Sequence, residues 1–218
     1  MNALEGGASR LRLGAFTVQG VSLGGLYTAL HIPELSALLD VGLPLRCAVG
    51  AKRLFLSHAR LDHIGGLSSF LAMRGMMTPH PPIELYCPAG LEEGIRAHLE
   101  PLAALHGWPL VCDPHPLSPG DEIQLDQRRW VRALKTFHPV PSLGYLFYER
   151  VEKLKAEFRG APGPELARLR KSGALITESR ERPLVAYLTD TLPEVLDHHP
   201  EVMGGLPLNH RVHLPRRS

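Results

Sequence analysis

The sequence predicts a single layered α/β domain with a sheet-rich core. A chain of 218 residues is long enough for one such domain and too short for two of ordinary size. Its 44% hydrophobic and 21% charged residues are typical of a globular protein, which excludes the disordered and fibrous classes. The run RLFLSH, residues 53–58, is short and continuously apolar, as in a strand covered on both faces. Strand patterns near both ends of the chain, with helical patterns between them, favour stacked layers.

The first half of the chain combines strand and helix patterns. The stretch that contains Asp40 and Gly42 is apolar and ends at these two residues, as a strand does before a turn. Gly65 and Gly66 would let the first predicted helix approach the end of the preceding strand closely, because they have no side chain. Residues 58–63 therefore lie on a strand-to-helix loop. The predicted elements are strands over 11–23, 35–42 and 53–58 and a helix over 64–77.

The second half repeats a strand and a helix and then becomes rich in β patterns after Gly120. Gly107 closes the second predicted helix, since glycine commonly follows a helix end. The last buried strand ends in an acidic residue, Asp190, just as the 35–42 strand ends at Asp40. The predicted elements are a strand over 83–88, a helix over 91–107 and strands over 123–125, 130–138, 143–149 and 184–191.

Charge and cysteine content narrow the function classes. A formal charge of +2 permits a polyanionic partner without requiring one. Cys47, Cys87 and Cys112 are odd in number and form no CxxC pair, which argues against a disulfide framework and a thiolate zinc site and favours the reducing cytoplasm. No stretch approaches the roughly 18 apolar residues of a membrane helix, and the first residues lack the apolar region of a secretion signal. We therefore expect a cytoplasmic protein without a membrane anchor.

Polar residues that bind metals recur at the predicted strand ends. A single histidine at a strand end is more often structural than a ligand, so repetition carries the argument here. The ends of neighbouring parallel strands meet at one rim of a sheet, where sites are usually built. Neutral imidazole and carboxylate are both good zinc ligands. The residues concerned are His58, Asp62, His63, His138 and Asp190.

Four ordered motifs resemble a known family. SHARLDHIGGL, which contains Asp62, resembles the HxHxDH signature of the metallo-β-lactamase fold. Residues 20–42, 134–149 and 186–191 resemble the opening, the third motif and the GDT motif of the short, plant-type tRNase Z (ribonuclease Z) proteins, with Thr189 in place of the GDT glycine. The resemblance covers residues 18–195. It implies one metallo-β-lactamase-like domain over residues 1–218, an αββα sandwich whose C-terminal portion is truncated.

The resemblance also implies an activity and a role for each motif residue. Members of this family are expected to remove the 3′ trailer of precursor tRNA with two zinc ions, and the family suggests a homodimer. Asp62 would in addition accept a proton during catalysis. Asp40 would orient ligands without binding metal itself. The implied ligands are His58 and His138 for the first ion, Asp62 and His63 for the second, and Asp190 as the bridge between them.

Arg60 departs from the family pattern, because it stands where the family has its second histidine. A guanidinium stays protonated and offers only hydrogen-bond donors, so it cannot bind a metal ion. In one interpretation, Arg60 serves as a fixed positive charge that contacts a substrate phosphate or Asp190. In the other, the site has lost its function, and one ion or none is bound.

The C-terminal part departs as well, since no family motif is recognisable after Asp190. The resemblance fades near Gly204, and residues 204–218 have little periodicity, as expected for an altered or prematurely ended reading frame or for a divergent tail. The missing coverage of the core predicts marginal stability or a dimer. Four histidines in this part are candidates for the missing ligand, namely His198, His199, His210 and His213.

Two further features concern the substrate. Residues 150–182 hold nine Lys or Arg against five Glu, which indicates either a solvated helical face or a contact with tRNA phosphates. Ser142 and Gly144 follow His138, and they either form a tight turn or help to hold the 3′ end of the RNA. Two alternatives to the endoribonuclease therefore stay open: an inactive pseudo-enzyme of this family, and another metallo-β-lactamase-fold hydrolase that acts on a small ester or thioester.

Overall fold

Two β-sheets stack face to face, and helices cover the outer face of each. The computed structural model describes residues 9–77 and 81–204. The first sheet has seven strands in chain order: β1 (Ser9–Leu13), β2 (Phe16–Leu23), β3 (Tyr27–Ile32), β4 (Ala37–Leu39), β5 (Arg53–Phe55), β6 (Ile83–Pro88) and β7 (Cys112–Leu117). The second has the order β11-β10-β9-β8, from β8 (Glu122–Gln124), β9 (Arg129–Lys135), β10 (Leu143–Leu154) and β11 (Thr177–Tyr187).

The helices complete the layers. Strands β1 to β4 pair antiparallel and β4 to β7 pair parallel, and parallel neighbours need crossover connections, which helices supply between β5 and β7. Short 3-10 turns lie at Pro33–Leu35, Arg46–Ala48 and Ala156–Phe158. The helices are α1 (Leu61–Ile64), α2 (Leu67–Met77), α3 (Glu92–His106), α4 (Gly163–Lys171), α5 (Val195–His198) and α6 (Glu201–Gly204). Within the described residues, no helix combines the length and apolar character that crossing a bilayer requires.

Apolar side chains fill three spaces between these layers. Between the sheets, Phe55 packs edge-on against Tyr145 and Phe147, with ring centroids 5.2 and 5.3 Å away. Aromatic pairs of this geometry contribute about 0.5–1.5 kcal/mol each beyond the area they bury. The first sheet packs its other face on α2 and α3, and the second packs its other face on α6 through Val202. This layering is the αββα sandwich predicted from the sequence.

Each predicted strand and helix overlaps an observed one, but several ends differ; for example, of the strand predicted over 35–42 only Ala37–Leu39 forms β4. The strand predicted over 11–23 is a hairpin of β1 and β2, because Gly14 adopts a φ of 58° between them. The helix predicted over 64–77 begins later, as α2 at Leu67, because the chain turns at Gly65 and Gly66. The short helix α1, which carries Asp62 and His63, lies where the sequence predicted a loop. A β-carbon on Gly66 would lie 2.6 Å from the Val41 carbonyl oxygen, so the close approach at this glycine is to the loop after β4 and not, as the sequence predicted, to the end of the preceding strand.

Several parts of the fold were not predicted: β3, α1 and α6 are among them, and so are a two-stranded ribbon and an edge strand. Strands β10 and β11 continue beyond β9 as a two-stranded ribbon that carries α4, and we call residues 150–182 the arm. Strand β7 closes one edge of the first sheet despite Pro114 and Pro116, which have no N–H group to donate. From residue 205 onward, the tail that the sequence left unassigned lies outside the described residues.

Candidate metal centre

The predicted metal ligands follow strand ends on one side of the stacked sheets. His58 comes three residues after β5, Asp62 and His63 lie on α1, and Asp190 follows β11. The amide of Leu143, at the start of β10, donates to the Ser57 carbonyl oxygen over 2.9 Å, which joins the second sheet to this loop. The structure therefore brings together residues that are more than 100 positions apart in the sequence.

Three of these residues form a group with metal-site dimensions. One donor atom each of His58, His63 and Asp190 lies within 4.8 Å of the other two. Asp190 Oδ2 is 4.0 Å from His58 Nε2 and 3.7 Å from His63 Nε2. Zinc binds such atoms at about 2.0–2.2 Å. Two donors that share one zinc ion are therefore only slightly closer to each other than these side-chain atoms are. Two imidazoles and a carboxylate can thus reach one ion here with small side-chain movements.

Two imidazole nitrogens in the site have no partner among the described residues. His58 Nε2 and His138 Nε2 are both buried and make no hydrogen bond there. The two rings lie next to each other, with centroids 4.7 Å apart, and the His63 ring is 4.2 Å from that of His58. A buried nitrogen without a partner is unfavourable, and a metal ion would satisfy it. The residues present therefore fit a metal ion.

Asp62 faces two neighbours at the edge of the group. Its Oδ2 lies 3.7 Å from His63 Nε2, and its Oδ1 lies 3.8 Å from Arg60 Nε. Arg60 precedes the first turn of α1 and exposes 54% of its side chain. The guanidinium thus lies against the carboxylate of the motif and points partly to solvent.

Asp40 supports the site from beneath. It is fully buried and its carboxylate accepts hydrogen bonds from the Ser57 amide at 2.6 Å, the Ser57 hydroxyl at 2.7 Å and the Tyr187 hydroxyl at 2.5 Å. The same carboxylate lies 2.6 Å from His63 Nδ1. Because Nδ1 is engaged in this way, His63 turns Nε2 toward Asp62 and Asp190. A carboxylate that holds a ligand histidine fixes both its orientation and its tautomer.

Burial and neighbouring charges separate the proton affinities of the two central histidines. Burial, followed by the adjacent His63, lowers the pKa of His58 to about 4. Burial also acts to lower the pKa of His63, but the hydrogen bond and charge of Asp40, with the charges of Asp190 and Asp62, raise it above its usual value. His58 is therefore a neutral imidazole near pH 7, the form that binds metal.

The backbone positions the site through close contacts around one glycine. The Val41 amide donates to the His63 carbonyl oxygen over 2.7 Å, and the Gly42 amide donates to the Thr28 carbonyl oxygen over 2.8 Å. A β-carbon on Gly42 would lie 2.0 Å from the Asp62 carbonyl oxygen. The loop after β4 consequently carries α1 directly, which fixes Asp62 and His63 relative to Asp40.

The remaining predicted residues lie around this centre. Ser142 is half-buried, and its hydroxyl is 2.6 Å from that of Thr136. Gly144 is buried in β10, where a β-carbon would lie 2.4 Å from Leu188 Cδ2, so close packing explains this glycine. Beside the centre, an open cleft is lined by Phe137, His138, Pro139, Asp190, Thr191 and Leu192.

The candidate histidines of the C-terminal part that the structure describes have other neighbours. His198 packs its ring against Phe137, with centroids 4.9 Å apart. His199 contacts the Lys135 carbonyl oxygen through Nε2 at 3.1 Å and Glu201 through Nδ1 at 3.3 Å. Neither belongs to the three-donor group. His210 and His213 lie outside the described residues.

Sequence reasoning missed Ser57 and Tyr187, which both contact Asp40. Tyr187 lies in the strand that the sequence predicted as buried, and a buried tyrosine hydroxyl usually has a hydrogen-bond partner. Burial and the Asp40 carboxylate raise the pKa of Tyr187 well above its usual value, so the hydroxyl stays a donor. The pattern of the strand indicates that Tyr187 is buried but carries no sign of which acceptor it reaches.

Comparison with known proteins identifies the family. No family model matches the chain. The chain is 39% identical over 170 residues to a nuclear ribonuclease Z of Triticum aestivum. The aligned residues make up 78% of this chain and 96% of that protein. The chain belongs to the ribonuclease Z family. This confirms the resemblance drawn from the motifs, and with it the metallo-β-lactamase fold.

Other ribonuclease Z relatives are longer than this chain. The chain is 32% identical to the chloroplastic tRNase Z TRZ2 of Arabidopsis thaliana, over 85% of this chain and 52% of that protein. It is 34% identical to tRNase Z TRZ1 of the same organism, over 83% of this chain and 64% of that protein. The chain thus spans about half to two thirds of these two relatives. Among solved structures, the short form of human tRNase Z is 18% identical with a TM-score of 0.46, covering 83% of this chain and 65% of that one.

Proposed function

We propose that the protein is a metal-dependent endoribonuclease that removes the 3′ trailer of precursor tRNA. The observation that carries this proposal is the three-donor group of His58, His63 and Asp190, at the predicted place in a chain of the ribonuclease Z family. The two buried imidazole nitrogens without partners support a metal ion at this place. The alternative of a small ester or thioester hydrolase has no such support, because the relatives bear the names ribonuclease Z and tRNase Z.

We propose zinc as the metal, because imidazole and carboxylate form the ligand set of catalytic zinc sites. Zinc bound there would polarise a phosphodiester oxygen and supply a water molecule of lowered pKa. Around it, Asp40 and Ser57 hold His63 in place through its Nδ1 side, and the buried walls exclude bulk water from His58. The ligands proposed from the family pattern are His58, Asp62, His63, His138 and Asp190.

Asp62 is the proposed proton acceptor. Its side chain is 12% exposed, so one edge of the carboxylate reaches the solvent-facing side of the site. A carboxylate within hydrogen-bond reach of an attacking water can take its proton. Arg60 Nε lies 3.8 Å from Asp62 Oδ1, and its guanidinium can also contact a phosphate of the substrate.

The arm is the proposed contact with tRNA phosphates. Of its nine basic residues, Arg150, Arg180 and Arg182 form ion pairs with glutamates. The other six form no ion pair with a described residue, so their charges are available to a polyanion. These six are Lys153, Lys155, Arg159, Arg168, Arg170 and Lys171. Ser142 and Gly144, near His138, are proposed to border the 3′ end of the RNA.

The decisive experiment is cleavage of a precursor tRNA by the purified chain in the presence of Zn²⁺. We expect a product cut at the 3′ end of the mature tRNA, and loss of at least about 100-fold in rate with Asp190→Asn, since one metal ligand is removed. His198→Gln is the matched control, because His198 is exposed on α5 outside the three-donor group, and it should retain the rate. Absence of cleavage from a metal-loaded, folded protein would contradict the proposal.

A second candidate is a metal-binding pseudo-enzyme, and the position of Arg60 favours it. Arg60 lies against Asp62, the residue proposed to accept the proton. A pseudo-enzyme would bind precursor tRNA and metal but leave the RNA uncut. The cleavage assay therefore has to be run beside a binding measurement on the same RNA.

We also propose a homodimer and a cytoplasmic location. Met76, Leu105 and Trp108 are exposed by 74%, 86% and 65% near the ends of α2 and α3, and a partner chain would cover them. Light scattering after size exclusion tests this, and a monomer at micromolar concentration would contradict it. The names of two relatives include nuclear and chloroplastic, so cell fractionation is the test of location.

A further inference from the structure

The donor atoms in the site have the dimensions of one ion rather than two. For a tetrahedral ion with bonds of about 2.0–2.2 Å, two donors lie roughly 3.3–3.6 Å apart. Asp190 Oδ2 is 3.7 Å from His63 Nε2 and 4.0 Å from His58 Nε2, and all three donor atoms lie within 4.8 Å of one another, so small side-chain movements bring them to one ion. Two imidazoles, one carboxylate and an open fourth position are the ligand set of a single catalytic zinc ion.

Asp62 and His138 fall outside this three-donor group, although the buried Nε2 of His138 has no partner among the described residues. Asp62 lies between two partners: its Oδ2 is 3.7 Å from His63 Nε2 and its Oδ1 is 3.8 Å from Arg60 Nε, so a guanidinium already pairs with this carboxylate. A second ion would need its own set of donors, and Arg60 has no lone pair to offer at the motif position it occupies. Its fixed positive charge would also repel a neighbouring cation.

In place of the five ligands of the family pattern, we infer that the protein binds one divalent metal ion per chain, on His58, His63 and Asp190. Arg60 then replaces the second ion as a permanent positive charge paired with Asp62. In this arrangement Asp62 binds no metal and its carboxylate stays free to accept a proton. The site thereby keeps two positive centres, of which one is an ion and the other a side chain that metal chelators cannot remove.

The single-ion site deepens the proposed function, and it rests on that proposal only because both concern the same metal site. Metal stoichiometry is measured without RNA. A chain that binds one ion and does not cut precursor tRNA would refute the proposed endoribonuclease and leave the single-ion site standing, whereas a chain that cuts RNA with two bound ions would do the reverse.

The experiment is a titration of the full chain, stripped of metal, with Co²⁺, followed by its visible absorbance, together with the zinc content after dialysis. We expect saturation at one equivalent per chain. Asp62→Asn should retain that equivalent, and Asp190→Asn should lose it. Arg60→His should raise the end point from one equivalent to two, while Arg60→Lys, which keeps the charge, should stay at one.

The variants are chosen so that folding does not confuse the result. Arg60 and Asp190 expose 54% and 34% of their side chains, so their substitution leaves the buried core intact, and thermal unfolding in chelator checks this. Three results would overturn the single-ion site: two equivalents in the unmodified chain, no binding at all, or loss of the ion in Asp62→Asn. An end point of one equivalent in Arg60→His would overturn the role given to Arg60.

Discussion

Nδ1 of His63 lies 2.6 Å from Oδ2 of Asp40, a carboxylate 23 residues earlier in the chain. Both side chains are buried, with exposures of 2% and 0%. The contact joins the end of β4 to α1 and leaves Nε2 of His63 facing the other donors. It makes the orientation of one proposed metal ligand depend on residues outside the three-donor group, and several predictions depend on this relationship.

Replacing Tyr187 by phenylalanine tests this support. The change removes one of the donors to Asp40, together with the contact of the same hydroxyl with Thr189. We expect metal affinity to fall about 10-fold, at the low end of the effect of such supporting groups. The matched control is Tyr145→Phe, because the Tyr145 hydroxyl is equally buried but donates to the Leu56 carbonyl oxygen over 2.6 Å. Both variants should lose roughly 1–2 kcal/mol of stability. Equal metal affinities in the two variants would contradict the supporting role of Tyr187.

The pH dependence of the metal-free protein tests the environment of His58. Its pKa is about 4 in the folded chain and near 6.5 when unfolded, so the unfolded chain binds more protons between these values. Stability should therefore fall as the pH drops from 6.5 to 4, by roughly 2–3 kcal/mol from this group. His63 acts in the opposite sense, because its pKa is raised in the folded chain. Its contribution to the free energy of unfolding is fully present below pH 6.5 and is lost as the pH rises through the folded pKa.

Urea unfolding at a series of pH values measures this dependence. The variant His58→Gln keeps a polar side chain of similar size without the titration, so its stability should lose less between pH 6.5 and 4. A curve for His58→Gln that follows that of the unmodified chain would show that other groups cause the acid sensitivity.

Replacing basic side chains of the arm by alanine tests the contact with RNA. Arg168 and Arg170 on α4 form no ion pair with a described residue, and replacing both by alanine should reduce the slope of log affinity against log salt by about 1.4–1.8. The control is the pair Arg180→Ala and Arg182→Ala, whose guanidiniums already pair with Glu178 and Glu149. We expect the control to change the slope by less. Precursor tRNA binding at several salt concentrations gives both numbers, and identical slopes would exclude a contact through α4.

Substituting Gly42 by alanine tests the backbone contact beneath the site. The new β-carbon would lie 2.0 Å from the Asp62 carbonyl oxygen, so the loop after β4 or α1 must move. We expect a loss of about 1–3 kcal/mol in stability together with weaker metal binding. Gly94→Ala is the control, because Gly94 lies on α3 with no atom near its would-be β-carbon, and it should gain up to about 1 kcal/mol. Thermal unfolding with and without Zn²⁺ measures both effects.

The sequence predicted the fold class and the residues that meet, but less of the structure that joins them. The strand over 83–88 coincides with β6, and the second helix ends before Gly107 as predicted, because periodicity and helix-end signals are local. Strand β7 was missed since Pro114 and Pro116 are rare in strands, and the hairpin at Gly14 was missed because the apolar alternation continues through it.

The sequence predicted that the proposed ligands lie together, but it did not predict the contacts that support them. His58 and Asp190 stand at strand ends where the pattern changes from apolar to polar, so both are visible in the sequence. The contacts of Tyr187 and Ser57 with Asp40 depend on how two sheets stack, which no local pattern encodes. The same holds for the distance between Arg60 and Asp62, which decides how the altered motif is interpreted.

The two prolines of β7 have a consequence for how copies of this chain can meet. An unpaired strand edge invites a strand from another molecule, and this is a common route to aggregation. Pro114 and Pro116 have no backbone N–H group, so the outer edge of β7 lacks donors at these two alternate positions. A further strand could not be added there with a full ladder of hydrogen bonds. The first sheet is thus closed to growth on the β7 side, and self-association has to proceed through helices or through other strand edges.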